Sequence, residues 1–110
     1  MMYESFKLFA RVLANRTRFD IVMQLMDGER SVLELCDALG YEQSRVSHNL
    51  KCLLNCGFVE VEQRGKRRIY RLNSDIKDLI LKIENHIQLY ESRLRECGIL
   101  KEENVVKVVR

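Results

Sequence analysis

Apolar residues recur at helical spacing along most of the chain. Residues 3–13 place Phe6, Phe9, Ala10 and Leu13 on one side, which predicts a first helix. Asn15 to Thr17 then reset the chain, with Asn15 or Thr17 as an N-cap. A second helix over 18–26 has the stripe Phe19, Val22, Met23 and Met26, and Asp27-Gly28 ends it because glycine can adopt the left-handed conformation of a helix terminus. Ser31 caps a third helix. Glu34 stands three residues on, as in a capping box, and Val32, Leu35, Cys36 and Leu39 form the apolar stripe before Gly40. A fourth helix over 42–56 carries Val46, Leu50 and Leu53, with Gly57, on one face. The short Gly40-Tyr41 connection between the third and fourth helices predicts a helix-turn-helix.

The period then changes from helical to two. Residues 59–63 and 68–72 alternate apolar with polar side chains around Arg64-Gly65-Lys66-Arg67, the pattern of a two-stranded hairpin with a basic tip. Residues 74–96 return to helical spacing, with Ile76, Leu79, Ile80, Ile83, Ile87, Tyr90 and Leu94 along one side. That stripe is more than one small domain can cover. The last segment, 98–110, ends in Asn104-Val105-Val106-Lys107-Val108-Val109-Arg110 and reads equally as an added strand or a loosely ordered end. The chain has no proline, repeat or low-complexity segment, so glycines and capping residues mark the boundaries. The expected fold is mainly α with a small β-hairpin: a dimeric winged helix-turn-helix, with 1–96 as the DNA-binding and dimerisation domain and 97–110 as a tail.

A chain of 110 residues has room for one modest core and one function. No apolar run approaches the roughly 20 residues needed to span a bilayer, so no membrane partner is expected. The opening Met1-Met2-Tyr3-Glu4-Ser5-Phe6 has an acid where a signal peptide needs a basic start, and the expected location is the cytoplasm. In that compartment Cys36, Cys52, Cys56 and Cys97 are read as packed thiols, metal ligands or redox sensors rather than disulfides. Charge is unevenly spread. Between 42 and 72 seven basic residues face three acidic ones, whereas between 74 and 103 five face seven. A basic middle segment points to a polyanion. On the fourth helix Gln43, Ser44, Arg45, Ser47, His48 and Lys51 fall on the outward side, and Lys66, Arg67 and Arg68 lie in the wing. Such side chains suit phosphates and base edges of double-stranded DNA. A homodimer related by a two-fold axis would space two such helices about one turn of the duplex apart.

Several motifs in order resemble the arsenic-repressor (ArsR/SmtB) family. They are Leu8-Phe9, Leu13-Ala14-Asn15-Arg16-Thr17-Arg18, Ile21-Val22-Met23-Gln24-Leu25, the segment from Ser31 to Leu39, Gln43-Ser44-Arg45-Val46-Ser47-His48-Asn49-Leu50, Gly57-Phe58-Val59 and Arg64-Gly65-Lys66-Arg67-Arg68-Ile69-Tyr70. The resemblance covers about Leu8 to Leu72. It implies a dimeric winged-helix repressor released from its operator by a metal ion or another effector. One family site, Cys-x-Cys on the third helix, is not matched, because Cys36 has no thiol two residues away and continues a buried stripe. A second, built from Asp and His on the last helix, is not matched either. Asp75 is present, but Lys77 stands where a histidine is wanted, and His86 is read as a surface or interface residue. The cadmium- and lead-sensing members carry Cys-x-x-x-Cys at the end of the recognition helix and a third Cys in the C-terminal region. Cys52-Leu53-Leu54-Asn55-Cys56 and Cys97 match that arrangement.

Physical chemistry stands beside the resemblance. Residues i and i+4 on a helix have Cβ atoms roughly 5–6 Å apart, close enough for two thiolates to share one soft ion. At about 100° per residue, Cys52 and Cys56 sit roughly 90–130° from the centre of the Val46, Leu50, Leu53 and Gly57 cluster, so core packing alone does not explain them. Three thiolates favour Cd(II), Pb(II), As(III) or Zn(II) over hard oxygen-loving ions, and no ion is expected to be needed for folding. Two alternatives stay open: a redox-responsive or effector-independent DNA-binding regulator, and a dimeric module that binds protein rather than DNA. The chain lacks a phosphate-binding glycine loop, a nucleophile elbow and a His-carboxylate cluster, so an enzyme is not expected.

Overall fold

A computed structural model describes residues 2–109, and the side chains of 2–103. Along the chain run α1 (Tyr3–Ala14), α2 (Arg16–Met26), β1 (Arg30–Ser31), α3 (Val32–Leu39), α4 (Gln43–Asn55), β2 (Val59–Arg64), β3 (Arg67–Leu72), α5 (Ser74–Glu96) and α6 (Gly98–Val109). They divide into two compact units, Met1–Lys77 and Asp78–Arg110.

In the first unit, helix ends fall where side chains can satisfy backbone N–H groups. Asn15 caps α2, its side chain accepting from the Arg18 N–H at 3.0 Å. The helix therefore starts two residues before the expected Arg18, and Thr17 is a buried residue of its first turn rather than its cap. The expected capping box at α3 is present: Glu34 N–H donates to Ser31 Oγ at 3.2 Å, and Ser31 N–H donates to Glu34 Oε1 at 2.9 Å. Gly40 ends α3 at φ +70°, a left-handed conformation that a Cβ disfavours. This turn sets α4 against α3 and completes the helix-turn-helix.

The core lies among α2, α3, α4 and the sheet. Ile21, Val22, Leu35, Val46, Leu50, Leu53 and Phe58 are its most deeply buried side chains, joined by Leu25, Val59, Ile69, Tyr70 and Leu72. The α4 stripe agrees with the sequence pattern, but α2 turns inward a face that shares only Val22 with the expected stripe. Ile21, Val22 and Leu25 are buried, whereas Phe19, expected inside, is 43% exposed. On α1 no residue is buried; Phe9 packs its ring against Phe58 at 4.9 Å between centroids.

The sheet has three strands in the order β1-β3-β2, all antiparallel. β2 and β3 form the wing, with Val61 opposite Tyr70 and Arg64 opposite Arg67. They extend one residue further than expected at the tip, leaving Gly65-Lys66 as the turn, with Gly65 at φ +60°. Strand β1, absent from the two-stranded expectation, pairs Arg30 with Tyr70 and Ser31 with Ile69. Two residues are too short to show an alternating pattern.

In the second unit, α5 continues to Glu96, and α6 follows where a strand or loose end was expected. α5 bears an Arg95–Glu91 ion pair one turn apart, and His86 stacks on Tyr90 at 4.7 Å. Leu79, Ile83, Ile87, Tyr90 and Leu94 remain exposed along α5, as do Tyr3, Phe6 and Leu8 on α1. Among the described residues no helix is long and apolar enough to cross a membrane.

Candidate nucleic-acid interface and thiol pair

The outward face of α4 is polar because its inward face is committed to the core. Val46, Leu50 and Leu53 point in, and Gln43, Ser44, Ser47, His48 and Lys51 are exposed. Arg45 is also exposed, yet its guanidinium is engaged. Nε donates to Thr17 Oγ1 at 2.8 Å and the group stacks 3.7 Å over the Tyr41 ring. The Tyr41 hydroxyl donates in turn to the Asp20 carboxylate, and this bond, then burial, pushes the phenol pKa above its usual value. Arg45 thus ties the start of α4 to α2.

Between α4 and the wing lies a groove of about 530 Å³. Gln43, Ser47, Lys51 and Arg68 line it together with Val32, Leu54, Asn55 and Tyr70. Arg68 stands 5.8 Å over the Tyr70 ring, and Lys66 is exposed in the tip turn. Neither cation has a carboxylate partner within salt-bridge distance among the described residues. The other wing arginines do. Arg64 pairs with Glu29 and Glu62, and Arg71 with Glu60 at 3.2 Å and Glu62 at 2.9 Å. Arg67 donates to Ser31 Oγ and Glu34 Oε1, both at 3.0 Å. Hydrogen bonds from Arg64, then Arg71, hold the Glu62 carboxyl below its usual pKa, so these pairs stay ionised at neutral pH. Of the nine residues expected at the DNA face, seven stand outward without such engagement, whereas Arg45 and Arg67 are tied within the protein.

Cys52 and Cys56 occupy the last turn of α4 and its C-cap, with the Cys56 N–H donating to the Cys52 carbonyl at 3.0 Å. Cys52 is half-buried and Cys56 exposed, consistent with their place outside the apolar cluster. Burial, followed by the neighbouring Cys52 thiol, pushes the Cys56 thiol above its usual pKa, and the Arg18 guanidinium pulls it partly back. Cys97 lies in the second unit and is half-buried. Among the described residues no three His, Cys, Asp or Glu side chains form a group placed to hold a metal ion. Cys36 is half-buried, and burial raises its pKa as for a packed thiol.

Sequence reasoning missed Arg18 and Asn49. Asn49 is buried in the middle of α4; its Nδ2 donates to the Arg45 carbonyl at 2.9 Å and its Oδ1 accepts from Arg18 at 3.4 Å. Arg18 also donates to the carbonyls of Val12 and Arg11, each at 3.0 Å. These partners lie up to 31 residues apart, so no local spacing reveals them.

The model of the "Bacterial regulatory protein, arsR family" matches residues 15–61, from the α2 cap through the recognition helix into the wing. The chain belongs to the arsR family. Within it, the chain is similar to a "Probable mercury resistance operon repressor" of Streptomyces lividans, 35% identical over 66% of this chain and 59% of that protein. Among solved structures it is similar to the homodimeric winged helix-turn-helix DNA-binding domain of Mb0332 from Mycobacterium bovis, a possible ArsR-family transcriptional regulator. The two superpose with a TM-score of 0.69 at 28% identity, over 82% of this chain and 86% of that one. It is also similar to the cadmium metal-sensor CMTR of Mycobacterium tuberculosis, with a TM-score of 0.59 at 33% identity over 67% of this chain and 78% of that one. The chain spans 46–59% of the length of the first curated arsR-family relatives it matches.

Proposed function

We propose that this protein is a dimeric repressor that binds operator DNA through α4 and the wing and is released when a soft thiophilic ion occupies Cys52, Cys56 and Cys97. The observation that carries the reading is the placement on one helix of an exposed polar face and, at its C-terminal end, two neighbouring thiols. Gln43, Ser44, Ser47 and His48 would address base edges in the major groove. Lys51, Lys66 and Arg68 would address phosphates, and the groove between α4 and β3 has room for a backbone strand.

Dimerisation is supported by the apolar side chains exposed on α5 and, separately, on α1, which water alone covers poorly. The homodimeric relative agrees with it. Residues 1–96 would then serve DNA binding and dimerisation, with 97–110 bringing Cys97. The thiol pair fits a thiophilic ion in donor chemistry: two sulfurs, side by side, one turn apart. Cd(II), Pb(II), Zn(II) and As(III) share that preference, and the resemblance to a cadmium sensor favours the first. When bound, the ion supplies a cross-link between α4 and the tail. Closing the thiols on it would shift the end of the recognition helix, and operator affinity would fall by a coupling free energy of typically about 1–3 kcal/mol.

The test is a Cd(II) titration of reduced protein, following the ultraviolet thiolate-to-metal band in the wild type and in Cys52→Ser, Cys56→Ser and Cys97→Ser. The expected result is a tight band that needs all three thiols, and variants that still bind operator but no longer leave it on adding Cd(II). A normal Cd(II) response from Cys52→Ser or Cys56→Ser would refute the site. A redox sensor would leave the operator on treatment with peroxide in the absence of metal. A protein-binding module would show no steep loss of DNA affinity with salt.

A further inference from the structure

Arg45, Asn49, Cys52 and Cys56 follow one another at spacings of four, three and four residues, so they share one stripe of α4. One element of the first unit, α2, touches this stripe through two polar contacts. At its N-terminal end Arg45 bonds to Thr17 of α2. In its middle, Asn49 accepts from Arg18, which also donates to the carbonyls of Val12 and Arg11 in the last turn of α1. One guanidinium therefore joins α1, α2 and α4. The Arg18–Asn49 bond is the longest of the three, at 3.4 Å, and Asn49 is 8% exposed. If Arg18 moved away, a buried amide oxygen would lose its partner, and water has little access to replace it.

We propose that Arg18 is the positioning residue that holds the DNA-reading helix in register with α1, and that its bond to Asn49 is the joint through which closure of Cys52 and Cys56 reaches the DNA-reading face. The inference rests on the function proposed above and names the residue that regulates it. Asn49 is fixed on the same helix face as the thiols, one turn before Cys52, so a shift of the end of α4 as the thiols are drawn onto an ion displaces its amide relative to Arg18. Arg18 cannot follow freely, being held at Val12 and Arg11. α4 thus changes its attitude relative to α1 rather than carrying α1 with it. A lysine at 18 would keep the charge but could not span three acceptors with a planar fork.

The experiment uses full-length wild type, Arg18→Gln, Arg18→Lys and Asn49→Asp, with a duplex selected by the wild type from a random-sequence pool. Operator affinity is measured by anisotropy with and without Cd(II), and the thiolate band is recorded on the same samples. Arg18→Gln should bind the metal-free duplex about tenfold more weakly while keeping the band. Its Cd(II)-induced loss of affinity should shrink to under about threefold, against a wild-type loss within the fivefold to 150-fold usual for coupled sites. Arg18→Lys should behave like Arg18→Gln, which keeps the test open if Arg18→Gln does not fold. Asn49→Asp retains an acceptor for Arg18 and should keep more of the Cd(II) response than either. Unchanged metal-free affinity in both Arg18 variants would overturn the positioning role. Weakened binding with an undiminished Cd(II) response would overturn the joint. A wild type with no band would overturn the thiol reading and the joint with it, while the metal-free affinities would still decide the positioning role.

Discussion

Replacing Arg68 by alanine should flatten the salt dependence of DNA binding, and replacing Arg71 by alanine should not. Both lie on β3, three residues apart, and a count of basic residues treats them alike. Their surroundings differ: Arg71 donates to Glu60 and Glu62, whereas Arg68 lines the groove beside α4. Each phosphate neutralised adds about 0.9 to the slope of log affinity against log salt, so Lys51, Lys66 and Arg68 in each of two protomers give a slope near −5. Removing Arg68 from both protomers lowers that slope by about 1.8. Between about 50 and 200 mM salt, the wild type then loses roughly 1000-fold in affinity and the variant roughly 100-fold. Anisotropy of a labelled duplex over that range measures both slopes. Equal flattening by Arg71→Ala, or none by Arg68→Ala, would refute the division between free and carboxylate-bound cations.

Other outcomes follow from single contacts. Leu53→Ala empties a site with no exposure and should lower stability by about 2–5 kcal/mol in urea denaturation, since a buried leucine leaves a cavity. Asn15→Ala should cost about 0.5–2 kcal/mol in the same assay by removing the α2 cap. Cd(II) affinity should rise with pH through the neutral range, by about tenfold per pH unit for each proton displaced, because the Cys56 thiol is raised and must lose its proton to bind; calorimetry in two buffers of different ionisation enthalpy counts the protons. Glu34 has its pKa lowered by the Ser31 N–H, then the Ser31 hydroxyl, with Arg67 adding to both. Its contribution to stability is therefore present above the ordinary carboxylate pKa and is lost as pH falls through the lowered folded value. Acid denaturation of Glu34→Gln should accordingly begin from a lower plateau and show a shallower dependence over that window than the wild type.

Local pattern made much of this molecule legible. The Val46, Leu50 and Leu53 stripe, the Ser31–Glu34 box and the alternation around Gly65 each express an interaction within a few residues, and each appears in the structure as expected. The inward face of α2 was only partly legible: Val22 of the expected stripe is buried, but Ile21 and Leu25 compete with Phe19, Met23 and Met26 as equally apolar neighbours, and only packing against α3 and α4 selects between them. The intramolecular partners of Arg45 and Arg67 were not legible, because helix position and charge reveal nothing of Thr17, 28 residues away, or Glu34, 33 residues away. For the thiols, the wheel placed Cys52 and Cys56 outside the apolar cluster, and their partial and full exposure agrees with that. Charge balance was least informative in the wing, where Glu60 and Glu62 reach Arg71 across the strands and Glu62 reaches Arg64 two residues along its own strand.

Those carboxylates bear on how a regulator finds one site among a genome of alternatives. Any duplex rewards a loose cation, so two unmasked arginines per wing would tighten binding to every sequence equally and leave the protein stranded on irrelevant DNA. By holding Arg64 and Arg71 in pairs, Glu29, Glu60 and Glu62 would keep this background attraction low while the hairpin retains its arginine-rich frame. In a protein that binds DNA as proposed, Glu29, Glu60 and Glu62 would thus set the speed of the search and the contrast between target and genome without contacting the duplex themselves.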